Sequence, residues 1–172
     1  MELQELTTRT LALFGVDDVD DLGQALMRCV MNDDADKMRK FVEIIKGDLT
    51  IDWLQMIYQY YCADRQDAKQ DFTPSCIAQF LSRLIGKSEE TVDMCAGSGA
   101  LTIQRWAENK DTKFTLLEID ENVIPYLIFN LVIRNIEATV VQTDILQQET
   151  IETWKVRKGE RFGKVLCLKS TV

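Results

Sequence analysis

Up to about residue 88, apolar positions recur every three or four residues, the spacing of one helix face. This predicts helices over LQELTTRTLALFG (3–15), VDDLGQALMRCVMN (19–32), DADKMRKFVEIIKG (34–47) and LTIDWLQMIYQYYCADR (49–65). Their ends carry the expected punctuation. Gly15 closes the first, the acidic run DDVDD opens the second, and Asp34 or Asp36 starts the third, with Gly47 after it. The polar stretch ADRQDAKQD (63–71) reads as a linker. TPSCIAQFLSRLIG (73–86) starts with Thr-Pro and closes on Gly86, an N-cap, first-turn proline and C-cap pattern. Trp53, Tyr58, Tyr60 and Tyr61 crowd the fourth helix, and their helical spacing favours a core or interface face over a base-stacking platform.

From residue 90 the pattern changes to short apolar runs alternating with helical stretches. TVDMC (91–95), KFTLLEI (113–119), ATVVQTD (138–144) and GKVLCL (163–168) read as strands. ALTIQRWAENK (100–110), ENVIPYLIFNLVIRN (121–135) and ILQQETIETWK (145–155) read as the helices between them. Such alternation implies right-handed crossovers and a parallel sheet. The predicted fold class is α/β, with a helical region at 1–66, a boundary within 64–72, and a partial Rossmann-like parallel sheet at 67–172.

Composition narrows the function classes. Apolar residues make up 46% of the 172, enough for a core, and no apolar run approaches the roughly 18 residues of a membrane span. The acidic, polar start MELQELTTRT is no secretory signal. The chain has no histidine, and its five cysteines are scattered without a CxxC pair, which argues against a zinc site and excludes a histidine base. Free thiols fit a reducing cytoplasm. A net charge of −8 lacks the basic surplus that phosphate contacts need, so any DNA contact requires a local patch or a basic partner.

Candidate chemistry sits at three strand ends. Asp93 ends the first strand and leads into Ala-Gly-Ser-Gly, where Gly97 and Gly99 let the backbone turn sharply and approach a ligand. Two glycines in a plain strand-to-helix turn would look the same. Glu118 in LLEID lies where a doubly wound sheet places an acceptor for ribose hydroxyls, while Asp120 suits a helix cap. Asp144 in QTDIL ends the third strand, where a carboxylate can accept from an adenine amino group or simply cap, with Ile145 beside it. Three successive strands ending in acids at one sheet edge favour a nucleoside-cofactor site.

DMCAGSGAL resembles the first motif of S-adenosylmethionine-dependent methyltransferases, in the form found in the DNA adenine-N6 group. QDFTPSCIAQFLSRLIG is similar to that group's Phe-Thr-Pro motif, and LLEID and QTDIL to its ribose and adenine motifs. The likeness is closest to the modification subunits of type I restriction systems and related phage or mobile-element methylases, over roughly residues 52–168. The resemblance implies that Phe72, Thr73 and Pro74 border the cofactor's methionine end. It implies that Asp93, Cys95, Ala96, Gly97 and Gly99 form the floor and turn near its amino group and carboxylate. Glu118 would hold the ribose, Ile119 would pack on the adenine, and Asp144 would accept from the adenine amine beside Ile145.

The chain departs from the family at the fourth strand. There the family carries Asn-Pro-Pro and an aromatic residue, which receive a flipped adenine. Here the strand reads GKVLCL and is followed by KSTV, and the only prolines are Pro74 and Pro125. The expectation is a chain truncated before that motif, binding S-adenosylmethionine without catalysis of its own. DNA would then be a partner only in a complete enzyme or complex. The alternative is a non-enzymatic interaction protein that uses the methyltransferase fold as scaffold, docking on a restriction-modification subunit. In a doubly wound methyltransferase sheet the first strand is central, with the fourth beside it. A fourth strand left at the edge would expose VLCL and invite self-association or a partner strand.

Overall fold

The amino-terminal helices form where the apolar spacing put them: α1 (Leu3–Phe14), α2 (Leu22–Met31), α3 (Ala35–Ile44) and α4 (Trp53–Tyr61). These elements come from a computed structural model that describes residues 2–62, 73–86, 88–147 and 149–168. The predicted linker at 63–71 and Phe72 lie outside the described residues. Gly15 ends α1 in the left-handed conformation, and its N–H donates to the Leu11 carbonyl. Asp34 caps α3 by accepting from the Lys37 N–H, and Asp52 caps α4 by accepting from the Gln55 N–H. Each such cap satisfies an amide that the helix leaves unpaired. Helix α5 (Ser75–Ile85) ends at Gly86 as expected. Its N-cap is Pro74 rather than Thr73, with no side-chain cap, so the Thr-Pro pair stands one position earlier than predicted.

The sheet is α/β but mixed. Strands β1 (Glu90–Asp93), β2 (Lys113–Glu118) and β3 (Ala138–Asp144) are parallel neighbours, joined through α6 (Ala100–Glu108) and α7 (Ile124–Ile133). The predicted helix over 145–155 is instead β4 (Glu149–Arg157), antiparallel to β3, and β5 (Lys164–Leu168) is antiparallel to β4. The reason is visible in β4 itself. Trp154 and Val156, two residues apart, are both buried, and the β-branched Thr150, Ile151 and Thr153 suit a pleated surface better than a helix. Reciprocal bonds between the Asn135 side chain and the Gly159 backbone, at 2.8 and 2.9 Å, fasten the β4–β5 connection to the end of α7.

The strand order β1-β2-β3-β4-β5 also corrects the expected arrangement. Among the described residues β1 lies at one edge and the VLCL strand at the other, so the two are not neighbours. The VLCL strand is an edge strand as anticipated, with Leu166 and Leu168 exposed.

Helix α7 is apolar all round and is buried on all sides, as that composition requires. Phe129 makes edge-to-face contacts with Phe14 and Phe41 at centroid distances of 5.5 and 5.3 Å, and Tyr126 packs on Tyr58 at 5.0 Å. Burying a side chain such as Phe129 stabilises the fold by roughly 2–3 kcal/mol. One cluster of buried residues thus runs from the amino-terminal helices through α7 to the sheet. It includes Phe114, Leu116, Val140, Trp154 and Val156 on one sheet face. On the opposite face Val92, Thr115, Lys155 and Leu166 are exposed. The aromatic residues of α4 divide accordingly: Tyr58 is core, Trp53 packs against it, and Tyr60 and Tyr61 face outward.

Candidate functional site

The three parallel strands end at one edge on Asp93, Glu118 and Asp144, but the ends are stepped: Asp93 is level with Leu116, and Leu116 with Val140, so Glu118 and Asp144 stand progressively further along. The turn after β1 fills the space between the first two. Gly97 and Gly99 adopt φ of 54° and 99°, the left-handed region where a side chain is strained. At Gly99 a Cβ would also lie 2.9 Å from the Leu127 Cδ1, a side-chain tip that would have to shift, so the backbone conformation is the main demand for glycine. The turn closes with the Gly99 N–H donating to the Ala96 carbonyl, and Ala96 donates to the Leu117 carbonyl on β2.

Glu118 ties the strand ends to the turn. Its Oε2 accepts from the Gly97 N–H at 2.7 Å, and its Oε1 accepts from Ile119 and Asp120, both at 2.9 Å. A carboxylate has about four lone-pair directions, so three such bonds leave room for a ligand donor. Asp144 Oδ1 accepts from Leu146 and Gln147, holding the turn after β3, with Ile145 half-buried beside it. Ile119 is exposed, as is Cys95, while Ala96 is buried. Thr73 is half-buried and Pro74 exposed at the start of α5. Asp120 does not cap α7 directly. Its Oδ1 accepts from the Asn122 backbone and side chain, and its Oδ2 from the Tyr58 hydroxyl at 2.7 Å.

Asp93 is different. Its Oδ1 accepts one long bond from the Cys95 N–H, at 3.3 Å, and its Oδ2 is buried with no partner. Burial pushes its carboxyl above the usual range, against the Cys95 N–H and with the nearby Glu118 charge adding to the rise. Asp93 lines a cavity of about 190 Å³ between α5, β1 and α6. Four further buried atoms without partners belong to residues lining the same cavity: Ser82 Oγ, Thr91 Oγ1, Thr102 Oγ1 and Arg105 Nε. Buried polar atoms are nearly always paired, so five on the residues around one cavity are a concentration of unmet hydrogen-bonding capacity.

A second set of buried polar groups went unseen in the sequence. Asp52 Oδ2 accepts from Ser98 Oγ at 2.7 Å, and its Oδ1 accepts from Asn130 Nδ2 at 2.8 Å. Asn130 Nδ2 also reaches the Ser98 carbonyl, and its Oδ1 accepts from Arg134. Arg134 donates in addition to the carbonyls of Leu49, Ile51 and Asn130. Burial lowers the Arg134 guanidinium to about 10 and raises the Asp52 carboxyl, each partly offset by the other. The sequence signal for this set is faint: Asp52 reads as a cap, and Asn130 and Arg134 are two polar residues in an apolar helix, one turn apart.

Among the described residues no group of three His, Cys, Asp or Glu could hold a metal ion, and no helix is long and apolar enough to cross a membrane. A glycine turn and strand-end carboxylates thus stand at the carboxyl ends of three parallel strands, the edge at which open α/β sheets bind their ligands. Residues 48–167 match the N-6 DNA methylase family, and the chain belongs to that family. Its function is therefore methyltransferase-related, in a family that generally uses S-adenosylmethionine. No curated protein and no solved structure gives a match.

Proposed function

We propose that this chain is the cofactor-binding portion of a DNA adenine-N6 methyltransferase of the restriction-modification type, holding S-adenosylmethionine at the carboxyl ends of β1, β2 and β3. The observation that carries the proposal is the unpartnered Asp93 Oδ2 in a cavity beside the glycine turn. Asp93 and Arg105 are both among the residues lining the cavity, and a carboxylate with a guanidinium is the pair that the ammonium and carboxylate of an α-amino acid require. Its volume of about 190 Å³ suits the methionine end alone, leaving the adenosine to Glu118, Ile119, Asp144 and Ile145 along the strand ends. Thr73 and Pro74 stand at the start of α5, the helix that walls the cavity. The cofactor supplies an electrophilic methyl group, and the residues named here bind and orient it. Residues 1–172 contain no Asn-Pro-Pro stretch, and the residues named here account for cofactor binding alone.

Calorimetric titration of S-adenosylmethionine into the protein tests this. The expected result is binding of about micromolar strength, lost in Asp93→Ala and Glu118→Ala variants that keep their circular dichroism. No heat of binding in the wild type would sink the cofactor reading. A second reading, an interaction protein built on this scaffold, is favoured by the exposed Ile77, Phe80, Leu84 and Ile85 of α5 beside the edge strand β1. Retained partner binding in a variant that has lost the cofactor would support it.

A further inference from the structure

We infer that Asp52 is a positioning residue for the Gly97–Gly99 turn, so that the loop before α4 and the end of α7 together set the shape of the ligand site. Ser98 is the one side chain between the two left-handed glycines, and it is buried. Its hydroxyl donates to Asp52 at 2.7 Å and its carbonyl accepts from Asn130 at 2.9 Å, so the middle of the turn is gripped on both sides. The grip is itself anchored. Asn130 and Arg134 stand one turn apart on α7, and Arg134 holds the Leu49 and Ile51 carbonyls of the loop that carries Asp52. Gln104 on α6 adds a bond to the Thr50 carbonyl in the same loop. Flanking glycines make a turn permissive, and a permissive turn holds one shape only when something outside it fixes the middle residue. The capping bond to Gln55 needs one carboxylate oxygen, and the other goes to Ser98. A helix cap alone does not explain the second contact. That the turn in question is the cofactor's rests on the function proposed above.

Two variants separate positioning from simple stability. Ser98→Ala cuts the bond from Asp52 to the turn and leaves the α4 cap, the Asn130 bond to the residue-98 carbonyl and the bonds linking Asp52, Asn130 and Arg134 in place. Asp52→Asn keeps the shape and one acceptor and removes the charge. Hydrogen exchange of the Gly99 amide, which closes the turn on Ala96, reads the turn directly, and unfolding in denaturant reads the whole fold. Both variants should speed Gly99 exchange and weaken S-adenosylmethionine binding by about tenfold, while still unfolding cooperatively. Wild-type exchange and wild-type affinity in Ser98→Ala would overturn the inference, and that variant decides the matter alone if Asp52→Asn does not fold. Faster Gly99 exchange in the variants of a protein that binds no cofactor would leave Asp52's hold on the turn standing and overturn the cofactor reading instead.

Discussion

The glycine turn is flanked by two sets of buried polar groups that follow opposite rules. On the α4–α7 side, Asp52, Ser98, Asn130 and Arg134 satisfy one another and four backbone carbonyls. On the α5–α6 side, Ser82, Thr91, Asp93, Thr102 and Arg105 each leave a buried atom unpaired around a cavity. Both sets cost desolvation, yet only the first recovers it within the chain. A paired network fixes a shape. An unpaired one leaves its desolvation cost uncompensated within the chain. Asp52 and Asp93 make the contrast within one residue type: burial raises both carboxyls, but Asp52 has three hydrogen-bond donors and a guanidinium nearby while Asp93 has a single long bond.

The largest effect should come from breaking the paired side. Arg134→Met leaves the buried Asp52 carboxyl without the guanidinium that partly offsets its desolvation and strips donors from the Leu49 and Ile51 carbonyls. It should cost about 3–5 kcal/mol in denaturant unfolding. A loss below 1 kcal/mol would mean that the network contributes little to holding the helical layer on the sheet.

The next effect depends on pH. Because the folded state raises the Asp93 carboxyl, its contribution to stability is full below the ordinary aspartate range near 4 and is lost as pH rises through the raised value. Asp93→Asn removes that slope, so the variant should gain on the wild type in unfolding free energy as pH increases from about 4. Cofactor affinity in the wild type should move the opposite way, strengthening over the same range as the carboxylate forms. Parallel stability curves for the two proteins would contradict the account of Asp93.

Smaller still is Thr102→Val on the unpaired side. Removing a hydroxyl that has no partner should change stability by about 1 kcal/mol or less, on the favourable side. A large loss would mean that the hydroxyl is satisfied in solution. Weakest should be association through the β5 edge, seen as a sedimentation coefficient that rises with concentration and no longer does so in Leu166→Lys. A monomer at all concentrations would dismiss that edge as an interface.

Local rules made much of this protein legible. Helical spacing and caps set α1 to α5, and α6 and α7 with the three parallel strands followed from alternation alone, as did the carboxylates that end them. The residues at 145–157 did not yield, because their side chains fit two periods and the choice fell to whether β3 would gain a partner strand. Pairing with β3, which buries Trp154 and Val156, decided it. The bonds from Asp52 to Ser98 and Asn130 span 46 and 78 positions in sequence, a separation at which no local pattern carries information. So the sequence determined the periodic elements, the turn and its family, because those depend on neighbours a few residues apart. Tertiary structure alone decided the sheet order and which buried polar groups were paired, because those depend on which distant groups are brought out of water together.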